Sequence, residues 1–303
     1  MNYEQLYNNI QSYAENTEQL FVANIPVFVM EAEERIYNSV QLPSLRKNVI
    51  GTMTFGNSYL SCPIDYLSTY SLAVIDSSGN YSYLLNKDVN FIRQSYPNPT
   101  STGMPQYYAL FGTQYNNNNE LSFILGPTPD TNYSAELHYF YYPPTIVQGQ
   151  ISLLGTITGG SLYTNGIYQN VSLTGGSGAN ATADILIASG AVVSCNLKFG
   201  GNFYAVGDVL SCSSLGSTGS GFSVTVASIS NSTGQSWLGD NYDPVLFYGA
   251  MREAMIFMKG EQDMVAYYEK MYQEALAQLN RLGTGLERGD AYRNGQARIM
   301  VKQ

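Results

Sequence analysis

Charge, histidine, tryptophan and cysteine are all scarce in this chain. Of its 303 residues 12 % are charged, one is His, one is Trp and three are Cys. Lys plus Arg number 14 against 23 Asp plus Glu, a net charge of −9. That balance excludes wrapping nucleic acid through phosphate neutralisation, but not an acidic tunnel through which DNA slides. No stretch approaches 18 apolar residues, and the opening MNYEQLYNNIQSYAEN is polar and acidic early, so neither a membrane span nor a signal peptide is predicted. Cys62, Cys195 and Cys212 are then expected as reduced, buried thiols; Cys195 and Cys212 could pair only if their strands are adjacent.

The single His138 has no His or Cys at ligand spacing, and Glu136 is the only carboxylate near it, so it reads as structural. Asp240 and Asp243 read as turn and cap residues. The glycine-rich TGGSGANA and GSTGSGF lack the Lys-Ser/Thr of a phosphate-binding loop. No catalytic, metal or cofactor site is predicted.

Tyrosine and glycine are abundant instead, at 26 and 29 residues. A surface of neutral polar groups and Tyr tips suits extensive subunit contacts. Composition breaks sharply between Val147 and Thr233, where the only charges are Asp184, Lys198 and Asp208. The expected fold class is α+β. A discontinuous helical bundle comes from residues 1–48 and 234–282, an antiparallel β region from 49–146, an inserted all-β sandwich or barrel from 147–233, and a terminal extension from 283–303.

Leu6, Ile10 and Tyr13 recur at helical spacing before Asn16. A second helix is predicted to start around Asn24-Ile25-Pro26 and to end near Pro43, with Val29, Ala32 and Ile36 on one face and Glu31, Glu33, Glu34 and Arg35 largely on the other. Asp243-Pro244 starts a third, with Asp capping and Leu246, Ala250, Ala254, Phe257 and Met258 buried. After a break at Lys259-Gly260-Glu261, a fourth runs from Gln262 to Arg281 with Tyr267, Met271, Ala275 and Leu279 as its stripe, ended by Gly283.

Between these lie strand signals. VIGTMTF and SYLSCP around Gly56-Asn57 predict one hairpin, and LAVIDSSGNYSYLL another. LSFILGPTP and YSAELHYFYYPP complete a small antiparallel sheet.

With Val147–Thr233 set aside, the chain resembles the phage head-to-tail adaptor family, the tail tubular protein A type. The likeness is carried by FVANIPVFVMEAEERIYNSVQLPSLRKN, YLLNKDVNFIRQSYPNP, YYALFG, FILGPTPDTNYSAELHYFYYPP and SWLGDNYDPVLFYGAMREAMIFMKGEQDMVAYYEKMYQEAL, in that order. The resemblance implies a virion structural protein, assembled in the host bacterial cytoplasm at the junction of portal and tail. It implies a homo-oligomeric ring, commonly of twelve copies, seated on the portal protein and holding the tail nozzle, with DNA passing through its channel. It also implies a C-terminal extension that docks on the portal; here Arg288, Arg293 and Arg298 are the candidates for charge-assisted contacts, with Ile299, Met300 and Val301 as apolar anchor. A tail-fibre, baseplate or receptor-binding structural protein is the alternative reading; the helical ends argue against it.

Within the break, GGSGANATADILI and GSTGSGFSVTVAS resemble each other, each placing Gly-Ser-Gly before an alternating strand. AVVSCNLKFGGNFYAVGDVLS reads as two strands around Gly200-Gly201-Asn202. A small β-sandwich or barrel of roughly 85 residues follows. Its candidate surface for docking tail fibres is Tyr163, Tyr168, Phe199, Phe203 and Tyr204, expected to be exposed.

Overall fold

The computed structural model describes residues 1–113, 121–215 and 219–287. Its helices are α1 (Tyr3–Ala14), α2 (Gln19–Ser39), α3 (Val89–Ser95), α4 (Trp237–Asn241), α5 (Asp243–Phe257) and α6 (Gln262–Glu287). The strands are β1 (Arg46–Met53), β2 (Tyr59–Ser61), β3 (Tyr66–Ile75), β4 (Tyr81–Tyr83), β5 (Leu85–Asn86), β6 (Tyr107–Thr113), β7 (Leu121–Gly126), β8 (Tyr133–Tyr141), β9 (Gln150–Ser161), β10 (Gly166–Ser172), β11 (Ala179–Ala188), β12 (Ala191–Asn202), β13 (Val209–Leu210) and β14 (Ser220–Ser230). The fold is α+β. One compact unit comprises Met1–Val40 and the described residues from Pro144 onward; the other comprises those of Gln41–Pro143.

In the first unit α1 begins with a reciprocal cap: Gln5 N donates to Asn2 Oδ1 at 2.9 Å, and Asn2 N donates to Gln5 Oε1 at 3.1 Å. Tyr3, Leu6 and Ile10 are its buried stripe, whereas Tyr13, expected to be buried, is exposed. The second helix starts at Gln19, before the expected Asn24, and runs through Pro26. Phe21, Ile25, Phe28 and Val29 form a buried stripe across that proline, which offsets the lost hydrogen bond. Glu33 is buried rather than on the polar face.

Both α2 and α6 pack against α5. Asp243 sits inside the first turn of α5, after an N-cap residue, Tyr242, that makes no side-chain cap. The break at Lys259-Gly260-Glu261 lies between α5 and α6 as expected. On α6 the buried residues are Tyr268, Tyr272, Ala275, Leu279 and Gly283, while Tyr267 is 52 % exposed. The strict four-residue spacing drifts off a period of 3.6, so the early half of the predicted stripe was one position out. The helix continues through Gly283 to Glu287.

The strands of this unit form two three-stranded antiparallel sheets, ordered β10-β11-β12 and β13-β14-β9, closing on one core that includes Ile151, Ala183, Ile185, Leu210, Val224 and Val226. Gly200-Gly201-Asn202 lies inside β12, not at a turn between strands.

An internal repeat explains this module. Gly159-Gly160-Ser161-Leu162-Tyr163 recurs as Gly200-Gly201-Asn202-Phe203-Tyr204, and the same spacing carries Gly149 onto Gly190 and Gly178 onto Gly219. Backbone follows sequence: Leu162 and Phe203 hold φ of 64° and 62°, and Gly160 and Gly201 hold 65° and 61°. Tyr163 N donates to Gly190 O and Tyr204 N to Gly149 O, both at 3.0 Å. Each half lends its first strand to the sheet of the other, β9 pairing with β14 and β12 with β11. The result is a pseudo-twofold sandwich.

The second unit is also a sandwich. Its sheets are ordered β1-β8-β3-β4 and β2-β7-β6-β5, the last with a parallel β5–β6 pair, rather than one antiparallel sheet. The hairpin at Asp76–Asn80 is present, β3 pairing with β4. The one predicted at Gly56-Asn57 is not: β1 pairs with β8 and β2 with β7, so that turn carries the chain from one sheet to the other. Met53, Leu72, Val74, Phe123, Leu125 and Leu137 are among the residues that fill the space between the sheets. A short α3, absent from the sequence reading, covers the outer side of β6 and β7 through Ile92, Ala109 and Ile124.

Candidate interaction surfaces

Two clamps hold the root of the β module, one of them to a helix of its unit. Glu33 on α2 accepts hydrogen bonds from Thr145 Oγ1 at 2.5 Å and Ile146 N at 2.9 Å. Burial pushes this carboxyl up to about 7, against the pull of those two donors. Across the root, Asn231 Nδ2 donates to Thr145 O at 2.9 Å and Gln235 O at 2.8 Å, so one amide ties the entering chain to the leaving one.

The module also rests on α1. The Phe203 ring lies 5.3 Å from that of Tyr3 and 5.6 Å from that of Tyr7, centroid to centroid, and Asn202 Nδ2 lies 3.3 Å from the Tyr3 hydroxyl. Tyr3 N donates to Gly234 O at 2.8 Å.

The five aromatics expected on the surface are therefore placed differently. Tyr163 and Tyr204 are buried in the module's core, Tyr168 and Phe199 are half-buried, and Phe203 is half-buried under α1. A sandwich built from Gly, Ala and Ser has little bulk of its own, so its few large rings are drawn inward. Arg288, Arg293, Arg298, Ile299, Met300 and Val301 lie outside the described residues.

Four charged residues of the helices form one network. Arg35 Nη2 and Arg252 Nη1 both reach Glu253 Oε1, at 2.6 and 2.7 Å, and Arg252 Nε also meets Glu269. These residues tie α2, α5 and α6 together, and the buried Glu253 is left with two cationic partners. His138 on β8 is half-buried, opposite Asn48 on β1, with its ring edge-on to Tyr70 at 6.2 Å. Asn48 donates to Glu136. Cys62, Cys195 and Cys212 are buried thiols, and burial pushes Cys62 up to about 12. Among the described residues no three His, Cys, Asp or Glu side chains are grouped to hold a metal ion, and no helix is long and apolar enough to cross a membrane.

Sequence reasoning missed Glu33, Asn202 and Asn231. Glu33 was findable, because it stands four residues after Val29 and three before Ile36, on the buried face. Nothing local marks Asn202 or Asn231, whose partners lie far along the chain.

The family model described as SU10 adaptor protein matches residues 1–169, more than half of the chain. That stretch spans α1, α2, the whole second unit, β9 and part of β10, so it continues past Val147; α5 and α6 lie beyond it. No curated protein matches.

Proposed function

The chain belongs to the SU10 adaptor protein family, a family of phage structural adaptors, and from that premise we propose that it forms a ring of twelve copies between portal and tail nozzle. DNA passes along the axis of that ring without sequence-specific contact. The observation that carries the reading is the family match across α1, α2 and the second unit. The net charge of −9 supports it as well, since an acidic lining repels the phosphate backbone and lets DNA slide. Arg288, Arg293 and Arg298 bind portal carboxylates, with Ile299, Met300 and Val301 as the apolar anchor. The region 147–233 is an insertion in the adaptor, serving attachment of further tail components.

Electron microscopy of the protein mixed with purified portal tests this. Twelve-fold rings with a central hole are expected, and single subunits scattered beside bare portals would overturn it. Deleting Gly285–Gln303 should leave a folded subunit that no longer binds portal. Without portal, mass photometry should find monomers.

A further inference from the structure

The chain carries two Asn-Gly pairs, Asn165-Gly166 and Asn294-Gly295, and the second lies outside the described residues. Asn165 is exposed and lies in the connection from β9 to β10, while Gly166 is half-buried and opens β10. Its side chain is held in place. Gly190 N donates to Asn165 Oδ1 at 2.8 Å, and Gly190 O accepts from Tyr163 N at 3.0 Å. The repeat puts Val206 where Asn165 stands, so this carboxamide bond has no counterpart in the other half of the module.

That bond bears on reactivity. A backbone nitrogen attacking the carboxamide carbon drives negative charge onto Oδ1, and an N–H already aimed at this oxygen receives the charge in the manner of an oxyanion hole. Glycine as the next residue meets a second requirement, since no Cβ crowds the approach of its nitrogen. Asn231-Ser232 shows the contrast. Asn231 Oδ1 also accepts from a backbone amide, Gly234 N at 2.9 Å, but its Nδ2 is bound to Thr145 O and Gln235 O. The nitrogen that would have to leave is thus tied twice, and the residue that follows carries a Cβ.

We propose that Asn165 is a site of spontaneous modification in the folded protein. The Gly166 nitrogen, having given up its proton to hydroxide, bonds to Asn165 Cγ. The Cγ–Nδ2 bond breaks, and the nitrogen leaves as ammonia with a proton taken from water. The five-membered imide then takes up one water. Opening the bond between Gly166 N and Cγ leaves an aspartate; opening the bond to the main-chain carbonyl carbon leaves an iso-aspartate, with the backbone routed through Cβ and Cγ. Water is the only co-reactant. Either product adds a negative charge to a module whose charges are Asp184, Lys198 and Asp208. Aspartate keeps an acceptor within reach of Gly190 N, whereas iso-aspartate lengthens the backbone just before the Gly166–Ile187 pair that begins the β10 ladder.

Peptide mapping of the full chain, kept folded in mildly alkaline buffer, tests this. The peptide that contains Asn165 should gain about 1 Da, the exchange of NH for O, and separate into two products of equal mass. Mapping keeps that signal apart from Asn294-Gly295. The rate should rise with pH, because the attacking nitrogen must first lose its proton. Gly166→Ala should slow the conversion by at least about tenfold through crowding of the ring closure. That variant should fold, since the added Cβ meets only Tyr168 Cε2, at 3.7 Å. An unaltered Asn165 peptide in the folded chain, beside conversion in the chain unfolded by urea, would overturn the proposal, because the fold would then protect the site. So would conversion at Asn231 ahead of Asn165, or an unchanged rate in Gly166→Ala. None of these readouts involves ring formation, so the adaptor reading stands or falls apart from them.

Discussion

In the sandwich of residues 41–143, rings pack on rings. Phe123 meets Tyr66 and Tyr108 edge-on at 5.6 and 5.4 Å, and Tyr66 stacks on Tyr139 at 6.1 Å. In the module of β9–β14, rings pack on glycine. A Cβ on Gly219 would fall 2.0 Å from the Tyr163 ring, and one on Gly178 would fall 2.5 Å from the Tyr204 ring. The strands of the module also approach backbone to backbone, since a Cβ on Gly200 would fall 2.3 Å from Ile151 O and one on Gly159 would fall 2.6 Å from Val192 O. A glycine-rich stretch is easily taken for a flexible one. Here glycine is what lets two tyrosines and a set of Ala, Val and Ile side chains close a core.

Bulk and its absence should therefore have opposite worth in the two regions. Phe123→Ala removes a fully buried ring from the ring-on-ring core and should cost about 3–5 kcal/mol in denaturant unfolding. Gly200→Ala adds one methyl against backbone that cannot rotate away, and should cost about 3 kcal/mol. The control is Gly51→Ala in β1, where a Cβ meets nothing within 4 Å and the backbone is not left-handed; there the change should stabilise by about 0.5–1 kcal/mol. Equal effects at Gly200 and Gly51 would show that the module's strands have room between them, and the contrast would collapse.

Coupling of the module to its helices is tested through Glu33. This carboxyl is raised from 4.5 to about 7 in the fold, so the folded chain holds the proton more tightly than the unfolded one. Its contribution is fully present below about pH 4.5 and is lost as pH rises through about 7, on the order of 3 kcal/mol in all. Glu33→Gln should flatten that slope. The melting of residues 41–143 should not follow pH over this window if their sandwich folds as a unit of its own. A slope unchanged in Glu33→Gln would remove Glu33 as its source.

The helical ends and the composition break were legible in sequence because each depends on neighbours a few residues away. Asp243-Pro244 and Lys259-Gly260-Glu261 are local signals, and α5 and α6 meet them within a residue or two. Sheet partners were not legible. SYLSCP follows VIGTMTF after a textually sound turn, yet β1 finds β8 and β2 finds β7, partners far along the chain that no local signal names. The likeness of GGSGANATADILI to GSTGSGFSVTVAS was visible, but its extension back to Gly149 and Gly190 became plain only with the matched left-handed residues. Exposure failed for Tyr163, Tyr204 and Phe203 for a related reason: an aromatic in a stretch of small residues reads as a surface anchor until its glycine partner, far along the chain, is known.

The smallest expected effect tests the pseudo-twofold itself. Tyr163 accepts a hydrogen bond from Phe222 N at 3.0 Å. The repeat places Tyr204 against the Ala181 amide, but there the buried hydroxyl closes no bond of normal geometry. Tyr163→Phe strands the Phe222 amide inside the core and should cost about 1–2 kcal/mol. Tyr204→Phe removes a hydroxyl that approaches the Ala181 amide without closing a bond of normal geometry, and should cost less than Tyr163→Phe. Denaturant midpoints of the two variants, compared at equal m-value, decide the matter. Equal losses would mean that both tyrosines are bonded and the module is more symmetric than its geometry indicates. A larger loss at Tyr204 would mean that the end docked on α1, and not the distal end, is where the duplicated halves are held most firmly.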